Sequence, residues 1–574
     1  MAQPFSLLPA TGSEQADEWI RLGTESQLNG NFPKAETFYR SALRLSPNNV
    51  TAIHNLSILQ ACQNNLNESL LTMERAVLFD DSNPVIYANQ ALICLEADRI
   101  DEAAFAAIRG AELSPEKPVD AAADPLKTAG YVNSRLSLAM VAAATGHPEN
   151  AFKPYMEILE VDPLHPAAGP NSCFVTSLMP IGPKELLPPR LRWYQAHKVN
   201  RPRWPHRNDK NPDRILRVGY VGGDFKSHSA AMMFSNVVLN HDRSVVEPIL
   251  YSSLPTDESK DEVTARFKAA ATWRDIAGKS DDDVEAMIDA DAIDILVDLA
   301  AHTNGGRLSV FCRKPAPIQI TAWGFAHGSG VPEMDVFFAD PVAVPESERQ
   351  YFVERIVDLP CIVTYRPPTE YQIKTASQTP YFQNEYVTFG SFTRFEKLSD
   401  SCLNTFRRIL EGVPNSRLHF KDHALKRPFS IRRILKTMEG IDRSRLLFSG
   451  STSHPEHMLE YQKVDIMLDP YPHGAGVVSL ETLYSGVPLL TMYGTQPSGR
   501  TASSVLTAIG RKDWIAKSED EYVENAINWA NRPHELAKAR KTLRDELLSS
   551  PVIAGYAGEV EKAYRMLWKE WCAK

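Results

Sequence analysis

Residues 464–500 read VDIMLDPYPHGAGVVSLETLYSGVPLLTMYGTQPSGR. An apolar strand pattern (VDIMLD) runs into a turn-rich loop (PYPHGAG), then a helical pattern (VVSLETLYSG), a second apolar strand (VPLLTMYG) and the opening of another helix. Strand, loop, helix and strand in that order form the unit of a parallel α/β sheet. The small-residue loop leaves main-chain N–H groups free at the positive end of a helix, which suits a phosphate or diphosphate. Gly474 and Gly476 let a ligand approach the main chain closely.

Outward from that stretch the same alternation fills residues 214–574. In the first half ILRVGYVG, VVEPILYSS, ATWRDIAG, AIDILVDLA, PIQITAWG, MDVFFAD and RIVDLP read as strands, with KSDDDVEAMIDAD as a helix. In the second, YVTFGSF, SRLHFKD, SRLLFSG, DIMLD, PLLTMYG and DWIA are strands, and the chain is helical from Ser518 onward. A Pro/Thr/Gln-rich stretch at 365–384 joins a lobe at 214–364 to a lobe at 385–574. Two doubly wound halves imply a cleft faced by loops from the C-terminal strand edges of both.

Upstream, residues 16–166 repeat with a period of 34. The frame from Ala16 places Leu22, Gly23, Ala35, Tyr39 and Ala42 where later frames place Leu56, Ser57, Ser69, Met73 and Ala76, then Ala91, Ala103 and Ala107, then Leu138, Ala139, Ala151 and Tyr155. Large residues where two helices meet and small ones where they cross make the tetratricopeptide signature, in about four copies. Such units bury their apolar faces only by stacking, which predicts a superhelix with a concave groove. The groove reads as a peptide- or protein-binding arm, or as a spacing or homo-oligomer element. A tail at 1–15 precedes the repeats. A Pro-rich connection at 167–213 follows them, with one helix and a basic segment read as a solvated linker.

Bulk composition narrows the function. The chain has 574 residues, is 43% hydrophobic and carries net charge −9, which argues against nucleic-acid binding by bulk electrostatics. Its seven cysteines are scattered without CxxC pairs, as expected in a reducing compartment without disulfides or structural zinc. With no signal-peptide pattern and no apolar run of bilayer length, the expected location is cytoplasmic, away from membranes.

Chemistry concentrates in three loops. Lys397 follows a strand and opens a helix capped by Ser399 and Asp400, so its ammonium can meet a leaving group gaining negative charge. Its bland alternative is a surface lysine paired with Glu396 or Asp400. His228, in GGDFKSHS, can take a proton or hold a sugar, or serve as a turn residue. His302, His327, His454, His457 and His473 show no zinc-ligand spacing.

RVGYVGGDFKSH, RKPAPIQITAWG with GSGVPEMD, GSFTRFEKL, LDPYPHGAG and LETLYSGVPLLTMYGTQPSGRTAS resemble, in order and spacing, the O-GlcNAc transferase/SPINDLY family, whose N-terminal repeats this chain shares. The resemblance implies a tetratricopeptide superhelix followed by a GT-B core of two Rossmann-like lobes, the first on the acceptor side and the second on the nucleotide-sugar side. It implies inverting, metal-independent transfer, without a cofactor, from a UDP-sugar (UDP-GlcNAc by default) to Ser/Thr of proteins held partly by the repeat groove. GDP-fucose or UDP-glucose as donor, Asn as acceptor, or a scaffold with weak activity are the alternatives. By the same resemblance Lys397 stabilises the UDP leaving group and His228 is the active-site histidine. Gly474, Gly476, Val477 and Val478 form the diphosphate loop, Glu481 contacts the ribose, and His457, with Thr452 and His454, lies beside the base. Val477 and Val478 replace two threonines, Glu481 an Asp, Glu460 an Arg, and FAHGSG the usual YPGTSG. Arg394 stands where animal enzymes have Gln.

Overall fold

The computed structural model describes residues 5–9, 14–200, 206–254, 261–369 and 379–574. The remaining parts of the tail, of the basic connection and of the 365–384 stretch lie outside the described residues. The chain divides into two compact units, Met1–Thr176 and Ser177–Lys574.

The first unit consists of helical hairpins: Glu14–Leu28 with Phe32–Leu45, Val50–Cys62 with Leu66–Phe79, Pro84–Glu96 with Ile100–Glu112, and Pro125–Ala144 with Pro148–Leu159. The small positions of the 34-residue frame lie where the two helices of a hairpin cross. A Cβ on Gly23 would sit 2.6 Å from the Tyr39 ring. In the second hairpin both small positions are serine, and each hydroxyl donates to the other's carbonyl at 2.7 Å, so the polar groups cost nothing in the buried crossing. The connection expected at 167–213 holds two helices instead of one. Ala168–Thr176 ends the repeat unit and Pro183–His197 belongs to the second.

The second unit carries two parallel sheets. In the first, β1 (Leu216–Gly222), β2 (Val246–Ser252), β3 (Thr272–Asp275), β4 (Ile295–Asp298), β5 (Ile318–Thr321), β6 (Val336–Ala339) and β7 (Arg355–Asp358) lie in the order β3-β2-β1-β4-β5-β6-β7. In the second, β8 (Val387–Ser391), β9 (Ser416–Lys421), β10 (Leu446–Ser449), β11 (Ile466–Leu468), β12 (Leu489–Met492) and β13 (Ile515–Ala516) lie in the order β10-β9-β8-β11-β12-β13. Every strand expected from the sequence is present. Each order reverses beside its first strand, between β1 and β4 and between β8 and β11, and such switch points are where open α/β sheets place ligands. The lobes match in detail there. Asp298, ending β4, accepts from Ala300 and Ala301 N–H and from Thr321 of β5. Asp469, just past β11, accepts from Ala475 N–H and from Thr491 of β12.

The last helix, Tyr556–Cys572, departs from the expected division, which counted it with the second lobe. It packs on the first. Tyr564 meets the Tyr220 hydroxyl at 3.1 Å, Tyr556 receives the Trp323 indole N–H at 3.0 Å, and Glu561 pairs with His241 at 2.9 Å. Trp568, fully buried, donates to the Asn211 carbonyl and lies under the Arg214 guanidinium, 4.6 Å from the ring centre. The amphipathic pattern of this segment demands a buried partner without naming it. Trp568→Ala removes about the largest side chain in this contact and is expected to cost about 3–5 kcal/mol in urea unfolding. An unchanged midpoint would show that the helix does not hold the first lobe.

Candidate functional site

At the second lobe's switch point two loops converge. After β8 the chain makes a tight turn, Phe395–Lys397, before the helix Asp400–Gly412. After β11 it enters PYPHGAG and then the helix Val477–Tyr484. The loops are bolted together. Ser399 Oγ donates to the Tyr471 carbonyl at 2.8 Å, and the Thr405 and Tyr471 hydroxyls are 2.6 Å apart. Gly474 N–H donates to the Ser498 carbonyl at 3.1 Å, while Asp469 holds Ala475 N–H at 2.8 Å. A Cβ at Gly474 would stand 3.0 Å from Asp469 Oδ2, so glycine fits this close approach. In that frame Lys397 Nζ donates to the Gly474 carbonyl at 2.8 Å.

The surface-lysine alternative therefore fails, since the ammonium reaches the glycine loop. Desolvation is the largest influence on Lys397 and brings its pKa from 10.5 down to about 7. Arg394 lowers it further, while Asp469 and Glu396 oppose. Asp469, fully enclosed, is lifted to about 6 by burial, against hydrogen bonds from Thr491 and Ala475 and the charge of Lys397. Arg394 itself is half exposed, with Nη1 3.3 Å from Glu396. The helix Val477–Tyr484 starts at Gly476 with no side-chain cap, so its first N–H groups depend on what lies in front of them. Val477 is buried and Val478 partly so.

Beside this centre lies a second cluster. Glu481, one turn into the helix and buried, receives His454 Nε2 at 2.7 Å on one oxygen. Its other oxygen takes the Tyr461 hydroxyl at 3.3 Å and lies 3.4 Å from His457 Nε2. Burial alone would raise this carboxyl, but the hydrogen bonds from His454 and His457 outweigh it and hold Glu481 near 2. The residue expected to touch a ribose thus has its oxygens engaged by protein, and its evident work is to orient two histidines. His457 also faces the rings of Phe392 and Tyr461. Thr452 accepts from Lys421 Nζ at 3.0 Å, and Lys421 bonds the Gly450 carbonyl as well.

His228 stays on the first lobe, half exposed. It caps the helix Ser229–Val238, with Nδ1 accepting from Ala230 N–H at 3.2 Å and 3.4 Å from Asp224. Two histidines that the sequence named without a role, His473 and His327, are drawn together through one glutamine, and the first feels the charge of Lys397. His473 is kept neutral by burial and then by Lys397 and Arg394, and its Nδ1 bonds the Ser177 carbonyl at 3.0 Å. Gln496 donates to the same carbonyl at 2.8 Å, and its oxygen lies 3.2 Å from His327 Nε2. The only signal for them was position: each follows a strand in a glycine-flanked loop, FAHGSG or PYPHGAG.

Two doubly wound lobes with a lysine and a helix start meeting at the second switch point define the GT-B class of fold. The chain belongs to glycosyl transferase family 41, whose profile matches residues 194–365 and 364–557. It is 36% identical over 380 residues to the Arabidopsis thaliana protein described as probable UDP-N-acetylglucosamine–peptide N-acetylglucosaminyltransferase SPINDLY, covering 64% of this chain and 41% of that one. The Solanum lycopersicum SPINDLY protein is 32% identical over 441 residues, 72% of this chain and 45% of the relative. The matched part spans less than half of these relatives' length. A solved O-GlcNAc transferase variant from Thermobaculum terrenum shares the fold at a TM-score of 0.75 and 24% identity, covering 98% of this chain and 99% of that one.

The Glu481 cluster makes a pH prediction. A carboxyl held near 2 in the folded chain, against 4.5 ordinarily, contributes stability above pH 4.5 that is lost as pH falls toward 2. Glu481→Gln removes that contribution, of the order of 3 kcal/mol. Chemical unfolding should show the variant less stable near pH 6, with the gap falling to about half by pH 3 and closing toward pH 2. A gap that does not vary with pH would contradict the assignment.

Proposed function

We propose that this chain transfers a sugar from a nucleoside-diphosphate donor, UDP-GlcNAc by default, to Ser/Thr hydroxyls of proteins. The observation that carries the reading is the Lys397–Gly474 contact at 2.8 Å, in front of an uncapped helix start. A diphosphate placed there takes the ammonium from the carbonyl and receives main-chain N–H groups at Gly476, Val477 and Val478, whose apolar side chains add no hydroxyl donors. The acceptor oxygen attacks the anomeric carbon as its proton passes to a base or water on the acceptor side, the bond from that carbon to the phosphate oxygen breaks, and the electron pair leaves with the diphosphate. Inversion follows from a single displacement. The charge that builds on the leaving oxygen is met by Lys397 and the helix N-terminus, without a metal in this scheme.

On the other side of the transferred sugar we place the first lobe's His228, with Asp224 3.4 Å from its Nδ1, as the group next to the acceptor hydroxyl. His454 and His457, held by Glu481, flank the nucleoside with Thr452. The curated relatives named above, described as probable N-acetylglucosaminyltransferases acting on peptides, support the same donor and acceptor classes.

A lysine near pKa 7 is about half neutral at pH 7, and a bound dianion raises its pKa. Calorimetry of UDP binding at pH 8, in buffers of different ionisation enthalpy, should therefore show uptake of about one proton, absent in Lys397→Met. Lys397→Met should also lower kcat by about 10²–10³-fold while leaving the melting curve in place. Saturable binding with no proton uptake, or unchanged turnover in the variant, would remove the leaving-group role. His228→Ala should lower kcat with UDP affinity unchanged, and a matching loss of UDP affinity would place this histidine on the donor side instead.

A further inference from the structure

The face of the repeat unit formed by the first helices of its hairpins is already occupied by the chain itself. Residues Phe5–Pro9 run in extended form across the first helices of the fourth, third and second hairpins. Asn89 grips Ser6 with both ends of its amide: Oδ1 accepts the Ser6 N–H at 3.2 Å and Nδ2 donates to the Ser6 carbonyl at 2.8 Å. Asn55 grips Leu8 in the same way, at 2.9 and 3.0 Å. The Ser6 hydroxyl donates to Asn133 Oδ1 at 2.7 Å, and Thr51 donates to the Pro9 carbonyl at 3.2 Å. Alternate residues of an extended chain turn their N–H and C=O to the same side, so two amides can serve Ser6 and Leu8 and leave Leu7 between them untouched. Asn55 and Asn89 stand one 34-residue period apart, at the same place in successive repeats.

The grip is set from behind. His54, wholly buried, lies between the two amides, with Nδ1 3.0 Å from Asn55 Oδ1 and Nε2 2.9 Å from Asn89 Nδ2. Burial pushes its pKa down to about 4, so the neutral ring donates at Nδ1 and accepts at Nε2. That fixes each amide with its oxygen toward the N–H and its nitrogen toward the carbonyl of the clamped residue. Neither contact reads a side chain. The apolar side chains Phe5, Leu7 and Leu8 pack against the core cluster that includes Ile53, Ile86 and Val141. The site is thus built for an extended main chain with a few apolar side chains, and this segment meets both conditions.

We propose that Phe5–Pro9 is a self-ligand of the repeat groove, which must leave Asn55 and Asn89 before an extended peptide from another protein lies across them. The identity of that competitor rests on the transferase reading above. The occupancy does not, and its test reads binding alone.

The probe is a labelled synthetic peptide of residues 3–12, QPFSLLPATG, titrated into the full chain and into a variant lacking residues 1–9. The truncated chain should bind it saturably, and the full chain at least about tenfold more weakly, because its own segment is in place. N-methylation of the peptide at Leu8 removes one clamped N–H and should weaken binding about fivefold to tenfold, whereas N-methylation at Leu7 should change little. In the intact chain the amide hydrogens of Ser6 and Leu8 should exchange slowly. Equal binding by both proteins, indifference to the position of the methyl group, or unprotected Ser6 and Leu8 amides would each overturn the proposal. Loss of sugar transfer with these results intact would fault the transferase reading instead.

Discussion

A single ammonium-to-carbonyl contact, Lys397 to Gly474, organises the second unit's chemistry. It exists because the strand order of the second sheet reverses between β8 and β11, so that the loops leaving those strands stand side by side at the switch point. Everything near it serves to hold that geometry. Asp469 and Ser498 fix the glycine loop, Ser399 and Thr405 tie it to the neighbouring helix, and burial leaves the lysine poised between charged and neutral. A loosely held loop would leave the ammonium to water and raise its pKa again.

The two lobes solve the same mechanical problem twice. Each ends the strand past its switch point with an aspartate that gathers the following loop and takes a hydroxyl from the next strand, Asp298 with Thr321 and Asp469 with Thr491. Among the described residues, the second also sets a lysine against that loop, and no such contact is seen in the first. The last helix then crosses back to the first lobe, where Tyr556, Tyr564 and Trp568 bury against it. The second lobe's C-terminal segment is thereby part of the first lobe's core, and the unit ends where it began.

Charge is handled differently at the neighbouring cluster. Glu481 is drawn below its ordinary range by two histidines, whereas Asp469, with one hydroxyl, one N–H and a half-charged lysine, is pushed above it. Two buried carboxylates twelve residues apart in sequence thus sit on opposite sides of their normal range, and the number and charge of their donors decides which way each goes. The repeat unit shows the neutral counterpart, a buried histidine kept uncharged so that it can align two amides.

Local pattern sufficed for much of this. Alternating apolar runs gave each strand of both sheets, and the 34-residue period gave the hairpins, because burial on one face leaves its period in the chain. Lys397 and the glycine loop were legible because a strand–turn–helix boundary marks where side chains and main-chain N–H groups face a ligand. What the sequence could not contain was the set of partners brought together across distance. The two helices inside the 167–213 connection, the final helix's choice of lobe and the histidines holding Glu481 fall in this group. So do His473 and His327 gathered about Ser177 and Gln496, and the segment lying against Asn55 and Asn89. Each is a contact between residues tens to hundreds of positions apart, where hydrogen-bond geometry and burial select one partner among many that composition alone would allow.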